Sequence, residues 1–141
     1  MVVNHRRTQL DRIDTFNEIL KDGEWLTAEA LNQLFQGSSF DIAGEWKASG
    51  RIFSVALRGE EYFPLYQFDA LYQPLAIISK VLANFGSAAD TWKIAAWFHY
   101  PNGWIVDSGP QGVSAVAPKD ALNRPGYVLK ALERLTGSYS A

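Results

Sequence analysis

The sequence has no cysteine, which removes disulfide frameworks, thiolate zinc sites, iron–sulfur clusters and cysteine nucleophiles together. Histidine is nearly missing too. His5 and His99 stand too far apart for one helix to present both imidazoles, so no metal site is expected. GxSxG, Walker and GxGxxG patterns do not occur, and with them goes the sequence support for nucleophile-elbow, P-loop and dinucleotide chemistry. His99, alone at a helix end, reads as structural or as a complement to the helix dipole. Glu60 and Glu61, adjacent in a turn, read as solvated charge rather than a glycosidase pair. No catalytic residue, metal or cofactor is assigned, and an enzyme is not expected.

Long apolar runs are also lacking. No stretch approaches the ~18 apolar residues of a membrane span, and VVNHRRTQLDRID after Met1 offers no signal-peptide h-region. A cytoplasmic chain without membrane contact is expected. Nor is there an excess of charge of one sign: 13 Lys and Arg against 15 Asp and Glu give a net charge of −2, so the molecule as a whole is no polyanion binder. Any nucleic-acid binding would need a local basic face.

What is present is a globular composition. Of 141 residues, 48% are hydrophobic and 20% charged, which suits one core or two small ones and excludes a disordered chain. In the first half, Leu10, Ile13, Phe16, Ile19 and Leu20 recur at helical spacing, and Asp22-Gly23 ends that helix. Thr27 is an N-cap for AEALNQLF, which Gly37 stops. Ser38 with Asp41 resembles a capping box opening SFDIAGEWKAS, which ends at Gly50. RIFSVAL and YFPLYQF then alternate as a hairpin over residues 51–68 with Arg58 to Glu61 as its turn, and Pro64 argues for an edge strand or a bulge. The sheet is expected to be no larger than this hairpin.

From Pro74, a residue suited to N1, a stripe of Leu75, Ile78, Leu82 and Phe85 with Ile77 and Val81 predicts a helix ending at Gly86. Ser87 and Asp90 resemble a second capping box before TWKIAAWFHY. Residues 104–112 read as an irregular crossing, Pro110 or Pro118 as the start of a short helical turn, and about Pro125 to Leu135 as the last helix. The seam is expected at Asp69 to Gln73, dividing a unit of residues 1–72 from a helical unit of residues 73–141.

Two helices followed by a hairpin give the order of a helix-turn-helix with a wing. The cations available to it are Arg6, Arg7, Lys47, Arg51 and Arg58. The second helix, however, carries Asp41 and Glu45 against Lys47, with Gly44 in its middle, so DNA binding is expected to be weak.

The stretch TAEALNQLFQGSSFDIAGEWKASGRIFSVALRGEEYFPLYQFD, with Pro64, Gln67, Phe68 and Asp69 at its end, resembles the N-terminal part of bacterial antitoxin-related proteins. The later Trp97, Pro101-Asn102, Ile105, Gly109-Pro110 and the Val128-Leu129 helix resemble the toxin-binding domain of the Xre/MbcA/ParS-type antitoxins. The resemblance implies a partner, a RES-domain toxin that consumes NAD, whose active site the antitoxin covers. The recognition surface would be Trp104, Ile105, Asp107, Gly109 and Pro110, with Tyr139 on the tail.

The expected fold is α+β and mostly helical, with a helix-turn-helix and hairpin unit packed on a C-terminal helical unit. The expected function is an antitoxin-like protein-binding module, homodimeric, that neutralises a RES-type toxin. The alternative from the same residues is a DNA-binding transcriptional regulator whose helical half dimerises.

Overall fold

The computed structural model describes residues 15–35, 40–86 and 89–137. Arg6, Arg7, Gly37, Ser38, Ser87 and Tyr139 lie outside these residues. The fold is α+β. Helix α1, described over residues 15–22, buries Ile19 and leads into strand β1 (Trp25–Thr27). Thr27 ends that strand and caps helix α2 (Ala28–Gln33), its Oγ1 accepting from the Ala30 N–H at 3.1 Å. Helix α3 (Ile42–Ala48) starts at Asp41, whose Oδ1 accepts from the Gly44 N–H at 3.0 Å. Asp41 is therefore the cap itself and not the third residue of a box opened by Ser38. The same correction holds for helix α5 (Thr91–His99), where Asp90 accepts from the Trp92 N–H at 3.0 Å. A carboxylate beside free N–H groups at a positive helix end gains from both the hydrogen bond and the dipole.

Strands β2 (Val55–Leu57) and β3 (Glu60–Pro64) form the expected hairpin. Its two turn residues, Arg58 and Gly59, have φ of 54° and 79°, the sign required by the tight turn whose twist matches the strands. The expectation that β3 lies at an edge is overturned. The sheet order is β1-β3-β2, with Trp25 opposite Pro64, so β3 is central. Proline is tolerated because it is the last residue of the strand. The Leu65 N–H just beyond it donates to Glu24 O at 2.9 Å.

A 3₁₀ turn (Leu65–Gln67) carries the chain to helix α4 (Ala76–Phe85). Pro74 does not open that helix. It is held extended in a bridge to Phe68, and Leu75 is the N-cap. The expected irregular crossing is a second hairpin, β4 (Asn102–Gly109) with β5 (Gly112–Val116), so the β-structure extends past the first hairpin. Pro110 belongs to its turn, whereas Pro118 does open a 3₁₀ turn (Pro118–Asp120). A register irregularity between Asn102 and Val106 breaks the two-residue period by which a strand is recognised. Helix α6 (Pro125–Gly137) closes the chain, burying Val128, Ala131 and Leu132.

Two apolar clusters hold these elements. The larger joins Ile19, Phe53 and Val55 to Ile78, Val81, Phe98 and Leu132, residues from both sides of the Asp69 to Gln73 seam. The smaller, Leu31, Ala43, Ile52, Phe63 and Phe68, lies under α2, α3 and the first hairpin. Ile52 and Phe53 are neighbours on an extended segment, so their side chains leave on opposite sides and enter different clusters. Gln67, completely buried, fixes that segment: it accepts from the Phe53 N–H and donates to the Phe53 carbonyl, both at 2.9 Å. Trp92 of α5 ties the halves again. Its Nε1 donates to Ala56 O at 3.0 Å and its ring stacks on Phe16 with centroids 3.9 Å apart.

Candidate nucleic-acid interface

Helix α3 packs against α2 through Ala43 and the Trp46 ring, which meets Phe35 edge-on at 5.5 Å and approaches Phe68. That packing leaves Glu45, Lys47 and Ala48 on the exposed face. The angle between the two helices is set by Asn32 of α2. It donates to Asp41 Oδ1 and accepts from the Ala43 N–H, each at 2.9 Å, and so satisfies an otherwise orphaned donor of α3. The hydrogen bond from Asn32, then that from the Gly44 N–H, then the charge of Lys47 hold the Asp41 carboxyl below the ordinary aspartate range. Gly44 is explained by the same cap: a Cβ there would occupy the space of the Asp41 carboxylate.

The first hairpin lies against this helix. Lys47 Nζ of α3 and Glu61 Oε2 of β3 form an ion pair at 2.6 Å, with both side chains about half exposed. Arg51, just past α3, lays its guanidinium over the Trp46 ring at 5.5 Å. Arg58 stands at the tip of the hairpin turn. Of the five cations expected to form a basic face, three are thus carried by α3, its exit and the adjoining hairpin. Arg6 and Arg7 are outside the described residues. Two of the nearby acids are already engaged, Asp41 in capping and Glu61 with Lys47.

The residues expected to bind a protein partner separate. Ile105 is completely buried in the larger cluster, because it is the inward side chain of β4, so it belongs to the core and not to a recognition surface. Trp104 is 55% exposed and carries the Arg134 guanidinium 4.6 Å from its ring centroid. Asp107 is paired with Arg124 at 2.7 Å. Gly109 and Pro110 form the exposed end of the hairpin, with Val106 and Val113 exposed behind them. These contacts fix the second hairpin to both ends of α6. The Asn32–Asp41 clamp escapes sequence reasoning, since a bond between two loop-flanking polar residues leaves no periodic signal. Among the described residues, no group of three or more His, Cys, Asp or Glu converges to hold a metal, and no helix is long and apolar enough to cross a membrane.

No protein-family model matches the chain, and no curated protein matches it either. Among solved structures, the NMR structure of Rv2175c is similar: 19% of the residues are identical, 83% of this chain and 82% of that chain are covered, and the TM-score is 0.62. At that identity the likeness concerns the fold alone.

Proposed function

We propose that the unit from α1 to β3 is a winged helix-turn-helix that binds duplex DNA, and that the protein is a cytoplasmic regulator. In this reading the outer face of α3 enters the major groove and the β2–β3 turn reaches the phosphate backbone. The observation that carries it is the Lys47–Glu61 pair, which makes the exposed face of α3 and the hairpin one continuous surface bearing Lys47, Arg51 and Arg58. With a net charge of −2, sequence-independent affinity is low and binding is strongest at low salt. The test is fluorescence anisotropy of a labelled duplex across a salt series. Replacing Arg51 and Arg58 by Ala flattens the plot of log affinity against log salt by about 0.9 for each phosphate that is no longer neutralised. Absence of binding at low salt, or a slope that both replacements leave unchanged, refutes this reading.

A second reading is supported by the second hairpin, whose exposed Trp104, Val106 and Val113 suit contact with a protein. It is the antitoxin-like module, binding a RES-type toxin, with self-association through the same half of the chain. Co-expression with such a toxin restores growth in this case, and Trp104→Ala weakens the rescue while circular dichroism stays unchanged. No rescue by the unaltered protein removes this reading.

A further inference from the structure

A cavity of about 500 Å³ opens where the C-terminal end of α3 and the segment leading into β2 face α4 and α5. It exists because small residues meet there, Ala48 and Gly50 on one side and Ala83 and Gly86 on the other. Its volume is that of a site for a small organic molecule. Ile52, Leu82 and Ile94 supply apolar walls, and Ser54, Thr91 and Lys47 supply the polar points. Ser54, only 5% exposed, is among the lining residues. Among the described residues no carboxylate lines the cavity, and Lys47 is the charged lining residue.

We infer that this cavity binds a small amphipathic carboxylate, its apolar body against Ile52, Leu82 and Ile94, its charged end at Lys47 and a hydrogen bond to Ser54. Lys47 also belongs to the face assigned to DNA, so a bound carboxylate competes for the ammonium with both Glu61 and phosphate. Ligand and DNA therefore oppose each other, and by linkage each weakens the other by the same factor. The coupling rests on the DNA reading, whereas occupancy of the cavity does not.

The test uses the full chain and the anionic apolar dye 8-anilinonaphthalene-1-sulfonate, with decanoate and decylamine below their micellar concentrations as competitors. The dye saturates a single site, decanoate displaces it, and decylamine does not. Ser79→Trp, on the exposed side of α4 at the cavity, lowers dye affinity about tenfold, and Lys47→Met lowers decanoate affinity about threefold. Ala83→Phe is the second filling variant should Ser79→Trp not fold. No saturable site, equal displacement by decylamine, or indifference to a folded filling variant overturns the inference. In the duplex assay, decanoate weakens DNA binding at least about fivefold. Duplex binding that decanoate leaves unaltered, while the dye is displaced, overturns the antagonism. If no duplex binds but the dye arm succeeds, the DNA reading fails and the cavity stands. If the duplex binds but the dye arm fails, the cavity falls alone.

Discussion

Replacing Gln67 by Met tests whether one buried side chain governs the junction between the two clusters. Gln67 is completely buried and satisfies both backbone groups of Phe53, with two bonds of 2.9 Å. Methionine has nearly the same volume and unbranched shape, so the cavity contribution that follows truncation is largely avoided. What remains is one buried N–H and one buried carbonyl without partners. Each costs about 1–3 kcal/mol, or about 2–6 kcal/mol together. That is a large share of the ~5–15 kcal/mol by which domains are ordinarily stable. With a urea dependence of ~2 kcal/mol per molar, the midpoint falls by roughly 1–3 M. Urea melts followed by tryptophan fluorescence and by far-ultraviolet circular dichroism should show the same shift with an unchanged slope. A midpoint within about 0.3 M of the parent would refute the reasoning, because Phe53 would then have found other partners at little cost.

Ile78→Ala should cost about 2–5 kcal/mol in denaturant melts, since Ile78 is completely buried in the larger cluster. Leu82→Ala should cost less, because Leu82 is half-buried at the rim of a cavity; equal losses would contradict that distinction. Tyr66→Phe should stabilise the protein by about 1 kcal/mol at neutral pH, because the Tyr66 hydroxyl is buried without a partner among the described residues. Burial pushes the Tyr66 phenol well above its ordinary value. The unfolded chain thus loses this proton first, and stability present below about pH 10 is lost as pH rises further. The Phe variant should lack that alkaline loss, and parallel profiles for the two proteins would count against it. Asp41, held below its ordinary range, contributes stability above that range which is lost as pH falls through its folded value. Asp41→Asn keeps a capping oxygen and should flatten the acid side of the melting profile, an outcome that thermal melts across acidic pH can check.

The elements are legible where one period runs unbroken. Helix α4 is announced by its apolar spacing, although its buried centre is Ile77, Ile78 and Val81 while Leu75, Leu82 and Phe85 of the expected stripe are half-buried around it. Val55 to Leu57 alternate into the first hairpin. Legibility fails where a residue's partner is distant in sequence. Pro64 speaks locally for an edge, but β1 arrives from far upstream, beyond the reach of any local pattern, and makes β3 central. Strand β4 is hidden by its Gly, Ser and Asp content and by its register break, so Ile105 resembles a loop residue when it is core. The Gln67, Phe68 and Asp69 signature is visible as a pattern without its reasons. Gln67 bonds Phe53, Phe68 enters the smaller cluster, and Asp69 accepts from the Leu71 and Gln73 N–H groups to turn the chain. The cations of the candidate interface are legible by type, but the Lys47–Glu61 pair that joins helix to hairpin depends on the folded arrangement.

The segment of Ile52 and Phe53 acts as a party wall, with one side chain committed to each apolar cluster. Neither cluster can melt alone without stripping that wall from the other, so the fold should lose its structure in a single step. The Phe53 amide proton, locked to Gln67 at the centre of the wall, should then exchange with deuterium only when the entire chain opens. Its exchange rate is a direct gauge of global stability, and a fragment cut at the seam would leave Phe53 and Val55 facing water.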